Sequence, residues 1–233
     1  MQPQDATTLY FFKIWPWIEA NKNKIIGGAG IIAAAIFLIY FFSWQRGQAE
    51  IAADKALTQM FVSVAPDTSA SQLAGLYLQI AGKNPGTRAG QRALLQGAAV
   101  LFDAGRYADA QVQFQKFLDA YPDNSFTAQA ALGVAASLDA QNKTDLAVGA
   151  YQRVINGSAD ATAVNTAKFS LARIYEAQGK FNDAFTYYAD VAQHSNPNGS
   201  LGSEAVQHAM ELKAKLPSAP SSTAPASSFK LSH

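Results

Sequence analysis

The sequence predicts an all-α protein: a single N-terminal transmembrane helix followed by a solenoid of helical hairpins. Three observations carry this. Residues 25–45, between Lys24 and Arg46, contain no charged side chain. Downstream, three stretches align on one another at a constant spacing of 37 residues. Nowhere is there the sustained alternation of β-branched and polar residues that a half-buried strand requires.

The chain opens with a short tail, 1–24, that carries Tyr10, Phe11, Phe12, Trp15 and Trp17. The uncharged run follows as the predicted transmembrane helix, 25–45. At about 1.5 Å per residue it spans roughly 31 Å, close to the thickness of a hydrocarbon core. Tyr40, Phe41, Phe42 and Trp44 close it, so aromatic side chains flank both ends at the depth where rings prefer to sit. The run begins KIIGGAGIIAAA, in which Gly28, Gly30 and Ala33 fit the G-x-G-x-x-[GA] fingerprint of dinucleotide-binding folds. The context that fingerprint needs is missing. Only Ile25 and Ile26 lead into it, too few for a strand, and the segment that follows is apolar on every face. A cleaved signal peptide is disfavoured as well, because bulky FFSW follows where small residues should stand. Lys13, Lys22 and Lys24 precede the span while Arg46 and Lys55 follow it. This bias places the N-terminus in the cytoplasm and the bulk of the chain outside.

Residues 47–216 form the predicted repeat domain. Its copies are GRYADAQVQFQKFLDAYPDN from Gly105, NKTDLAVGAYQRVINGSAD from Asn142 and GKFNDAFTYYADVAQHSNPN from Gly179. Ala110, Ala147 and Ala184 are equivalent, as are Phe114, Tyr151 and Tyr188 four positions later. A degenerate copy precedes them, with Pro85 standing 37 residues before Pro122. In each copy a first helix of small and apolar residues stops at Gly or Asn, and a second helix starts at or near an aromatic. The alanines allow the two helices to approach; the aromatics fill the gap to the next hairpin. No single hairpin can bury its apolar face, so the copies must stack. From Pro217 the sequence PSAPSSTAPASSFKLSH cannot build a core, and 217–233 reads as a disordered tail.

The repeat resembles the tetratricopeptide repeat. Its best copy supplies Leu94, Ala98, Leu101, Gly105, Tyr107, Ala110, Phe114 and Pro122 at the pattern positions; the last supplies Leu171, Ala172, Tyr175, Gly179, Phe181, Ala184 and Tyr188. The spacing of 37 exceeds the family's 34, so the connections are longer. The layout also resembles the bacterial YfgM-like family. The likeness is carried by the junction WIEANKNKIIGGAGIIAAAIFLIYFFSWQRGQAEIAADKAL: a basic entry, a glycine-bearing anchor and an immediate helix. That resemblance implies a single-pass protein of the inner membrane with its C-terminal domain in the periplasm. It further implies association with the SecYEG translocon and with a membrane-anchored periplasmic chaperone such as PpiD.

By analogy with the repeat, first helices line a concave groove. Arg92, Leu95, Gln96, Ala99 and Phe102 would contribute from one copy, then Gln129, Leu132, Ala136 and Asp139, then Phe169, Arg173 and Glu176. Leu95, Phe102, Leu132 and Phe169 would form an apolar floor for a bound segment. The competing expectation is that these side chains are simply core. The Lys/Asn clamp by which some members of the repeat family hold a terminal carboxylate is not met: Arg92 and Arg173 stand nearest to it, with Gln96 and Ala99 where Asn is required. In the anchor, Gly30 and Ala34 form a small-xxx-small pair that lets a partner helix come close.

No residues point to catalysis, a metal or a cofactor. His194, His208 and His233 lie in or beside loops or in the tail, without ligand spacing to a Cys or carboxylate. Asp119 with Asp123, and Asp183 with Asp190, read as solvated helix ends. There is no nucleophile motif and no phosphate loop. Charged residues make up 15% of the chain and the net charge is +1, which disfavours nucleic acid. The expected work is protein binding at the translocon; the alternative is a cell-envelope assembly or division scaffold without a translocon role.

Overall fold

The computed structural model describes residues 16–17, 19–65, 67–196 and 199–216. The aromatics from Tyr10 to Trp15, Lys13, His233 and the predicted tail 217–233 lie outside them. Nine helices are described, with no strand among these residues: α1 (Lys22–Ser63), α2 (Ala70–Lys83), α3 (Arg88–Asp103), α4 (Tyr107–Ala120), α5 (Thr127–Ala140), α6 (Thr144–Gly157), α7 (Ala161–Ala177), α8 (Phe181–His194) and α9 (Ser200–Lys215). Each packs on its neighbours in sequence, and the odd-numbered helices also touch one another in order. The odd helices therefore form an inner layer and the even ones an outer layer.

Local chemistry explains the punctuation. The Ser69 hydroxyl and the Gln72 side chain form a reciprocal capping box that starts α2. Thr87 Oγ1 accepts from Gly90 N–H at 2.9 Å to start α3, and Asp160 caps α7 through Thr162 and Ala163 N–H. Between the layers, Ala98, Ala135, Ala172, Ala110, Ala147 and Ala184 are completely buried. A methyl is all that fits where paired helices approach. Phe114, Tyr151 and Tyr188 are buried as well. Phe114 lies so close to Gly133 of the next hairpin that a Cβ there would fall 2.6 Å from its ring. Each such aromatic, fully buried, contributes about 1.5–3 kcal/mol.

α1 differs from the sequence expectation in one respect. The predicted anchor and the first helix of the domain are a single uninterrupted helix of 42 residues, about 63 Å long. Its apolar part carries exposed Ile31, Ile36, Phe37 and Ile39 and is the one stretch among the described residues long and apolar enough to cross a membrane. Its last turns belong to the solenoid. Ala53 and Met60 are buried there, Met60 beside Tyr77 and Ala93. The Glu50 carboxylate accepts from Arg88 N–H at 2.9 Å and from Ala89 N–H at 3.3 Å, capping α3 from α1. With α2, this segment is the degenerate first copy. At the other end α9 has no outer partner among the described residues and closes the stack through Ala205 and Leu212.

Two expectations are corrected. His208 is not beside a loop: it sits within α9, its ring stacked on Tyr188 at 4.7 Å. Asp190 is not a solvated helix end: it is partly buried and ion-paired to Lys168 of α7.

Candidate functional site

The inner layer of α1, α3, α5, α7 and α9 presents a series of hollows. The first, about 430 Å3, brings together Arg92, Leu95, Gln96, Ala99 and Gln129 from the sequence-derived set. Leu57, Tyr77 and Phe126 complete it. The second, about 210 Å3, contains Phe102, Leu132 and Ala136 and shares Ala99 and Gln129 with the first. The third, about 690 Å3, holds Asp139, Phe169, Arg173 and Glu176, joined by Glu204 and His208 of α9. The predicted groove residues thus fall into an N-terminal and a C-terminal group that share no lining side chain.

Their exposure is uneven. Leu95 is 6% exposed and Phe169 is 9% exposed, so both belong mainly to the core. Phe169 packs edge-on to Tyr188 at 5.3 Å. Phe102 and Leu132 are half-buried and retain accessible apolar surface. Part of the floor expected from Leu95 and Phe169 is instead supplied by Phe126 and Leu57. These were missed in the sequence. Phe126 lies in a connection, NSFT, and Leu57 lies in the copy whose pattern is most degraded.

The third hollow is the polar one. Tyr188 Oη donates to Glu176 Oε2 at 3.0 Å, and His208 Nδ1 lies 3.3 Å from the same oxygen. Burial, then this hydrogen bond, pushes the Tyr188 hydroxyl far above its ordinary range. Burial also raises the Asp139 carboxyl, with Arg173 pulling it back. Glu204 and His208 stand four residues apart on α9, a helical spacing that could have marked them in the sequence. No group of three His, Asp or Glu side chains able to hold a metal ion converges among the described residues.

On the opposite face, α4 and α6 part to leave a cleft of about 530 Å3 floored by Ala128, Ala131 and Val134 of α5, with Arg153 and Asp160 at its edge. Nothing in the sequence pattern singled it out. Gly30 and Ala34 are exposed on α1, and among the described residues nothing beyond the local turns of α1 stands within 4 Å of a Cβ built on Gly30.

Stacked hairpins with small residues between the layers and a hollowed inner face are the geometry of a helical repeat. A family model, described as a tetratricopeptide repeat-like domain, matches residues 16–149 and 112–196. The chain belongs to the tetratricopeptide repeat-like domain family. As a member of that family, it carries a fold that binds proteins and is typically non-catalytic. Among solved structures, this tetratricopeptide repeat-like chain is similar to the MamA RS-1 ArsTM double mutant: 15% identity, TM-score 0.47, covering 75% of this chain and 97% of that one. It is similar to MamA 41-end from Desulfovibrio magneticus RS-1, with 17% identity, TM-score 0.46, and coverage of 74% and 97%. BtubC (BKLC) from P. vanneervenii matches at 12% identity and TM-score 0.46, covering 82% and 98%. No curated protein matches the chain.

Proposed function

We propose that this is a single-pass protein of the bacterial inner membrane, with its N-terminus in the cytoplasm and its solenoid in the periplasm. In this reading the concave face is a protein-binding groove. It serves the SecYEG translocon and a membrane-anchored periplasmic chaperone such as PpiD during protein export. One observation carries the proposal: α1 runs unbroken from the apolar span into the wall of the groove. Leu57 lines the first hollow twelve residues beyond the end of the predicted span, about 18 Å along the helix. A polypeptide leaving a membrane channel would meet the groove within that distance. The resemblance of the junction to the YfgM-like family, and the excess of lysine before the span, support the same placement.

Photo-crosslinkers at exposed Gln96, Gln129 and Arg173 in living cells test it. The expected adducts are Sec subunits, the chaperone or exported chains. Adducts with envelope-assembly or division proteins, without Sec subunits, would replace the proposal with a general scaffold. Protease added to spheroplasts should cut the solenoid; cleavage only after lysis of the inner membrane would overturn the orientation.

A further inference from the structure

The concave face is electrically uneven. Its first hollow is mainly apolar, with Arg92 its one charged lining residue. The second adds Phe102 and Leu132, with Asp103 as the one charge. In the third, Asp139, Glu176 and Glu204 face only Arg173 and His208. Glu176 is engaged by Tyr188 and His208. Asp139 and Glu204 have no hydrogen bond or ion pair among the described residues, although Asp139 feels Arg173 through space. The net charge of the whole chain is +1, so this acidity is local.

We propose that the concave face takes an extended polypeptide segment with apolar side chains at one end and a Lys or Arg about five residues away, in the third hollow. This rests on the reading of the concave face as a protein-binding groove. The spacing follows from the stack. The first hollow is centred on α3 and the third on α7, two inner-layer steps of about 8–10 Å each. An extended chain covers that distance in about five or six residues. The charge follows from solvation. Asp139, half-buried and already partly withdrawn from water, loses little more solvation when a cation arrives and gains a charge-assisted hydrogen bond, while exposed Glu204 adds negative charge at the rim. A segment with Asp or Glu at that place meets repulsion from the Asp139 and Glu204 carboxylates, which Arg173 offsets only in part.

The test uses the full chain in nanodiscs of zwitterionic lipid and fluorescein-labelled peptides, read by anisotropy. The parent peptide carries Leu-Phe and, five residues on, Lys. Its relatives carry Glu or Gln in place of that Lys, or have the Lys moved next to the Leu-Phe pair. The Lys peptide should bind ~10-fold tighter than the Glu peptide. The displaced Lys should lose most of that advantage. The double variant Asp139→Asn, Glu204→Gln should erase the preference, and Asp139→Lys with Glu204→Lys should reverse it. Should the variants fail to fold, the unmodified chain decides. Its Lys preference must shrink between low salt and about 0.5 M NaCl. Equal binding of the Lys and Glu peptides, a preference indifferent to salt, or no peptide binding at all would overturn the proposal. Groove crosslinks to a protein partner would survive that result, so the two readings fail separately.

Discussion

Asp139 lines the third hollow and Tyr188 packs behind its lining residues Phe169 and His208, and the two solve the problem of burial differently. Tyr188 is fully buried, yet its hydroxyl donates to Glu176 and its ring stacks on His208. Such a wedge keeps its polar end satisfied while its ring fills the gap between repeat and closing helix. Asp139 is only half-buried but finds no hydrogen-bond donor among the described residues, and burial, opposed in part by Arg173, raises its carboxyl above the usual 3.8. A raised carboxyl stabilises the fold while protonated, and that contribution is lost as pH rises through its folded-state value. Asp139→Asn should therefore raise the melting temperature at pH 7, and the gain should vanish below about pH 4, where the wild-type side chain is itself neutral. Thermal melts of both proteins across pH 3–8 check this; a gain independent of pH would mean that Asp139 is destabilising for some reason other than its charge. The position of Tyr188 was legible, because an aromatic recurs with Phe114 and Tyr151 at a spacing of 37 residues. The partner of its hydroxyl was not, since Glu176 and His208 arrive from two other helices.

The turns from α3 to α4, from α5 to α6 and from α7 to α8 obey one rule. Gly105, Asn142 and Gly179 have φ of +75°, +58° and +73° at equivalent places. At each, the following N–H reaches back to a carbonyl in the last turn: Arg106 to Leu101, Lys143 to Leu138 and Lys180 to Tyr175. A second bond, such as Gly105 N–H to Phe102 C=O at 2.9 Å, completes the left-handed cap. Asn tolerates this conformation less well than Gly. Asn142→Gly should leave the domain unchanged or up to about 1 kcal/mol more stable, while Gly105→Val should cost about 1–2 kcal/mol. Denaturant melts at constant slope separate the two; equal losses in both variants would show that the Asn142 side chain matters beyond its backbone angle. This rule was readable from the sequence, as a Gly or Asn where each first helix stops. The continuity of α1 was not. Gly47 has nothing around it, and an exposed helical glycine costs about 1 kcal/mol without breaking a helix. The change at Arg46 is one of composition, from an uncharged apolar run to a charged one, and hydropathy marks a border there where the backbone has none.

For the whole molecule, the consequence is that one helix is shared by the apolar, span-length segment and the solenoid. The resemblance to the tetratricopeptide repeat placed the candidate groove residues on the first helices, and their helical spacing put them on one face of each. It could not divide them into an apolar and an acidic group, since that depends on how each inner helix is set against the next. It also undervalued the segment just beyond the span, where Glu50, Ala53, Leu57 and Met60 complete the first repeat. Two truncations test this. A chain beginning at residue 47 keeps those contacts. One beginning at residue 65 exposes Tyr77 and Ala93 and leaves Arg88 and Ala89 N–H without their carboxylate. The loss combines a buried Met, a half-buried Leu, a buried Ala and a cap, about 3–5 kcal/mol together. For a domain of this size that lowers the melting temperature by roughly 10 °C. In a stack held by nearest-neighbour contacts the damage should be local, so amide exchange should rise first in α2 and α3 and hardly at all in α8 and α9. If the two truncations melt together, the turns after Arg46 are only a stalk. A lower, exchange-mapped melt for the shorter chain would make them a structural repeat, and the groove would then be held at a fixed angle to the membrane span.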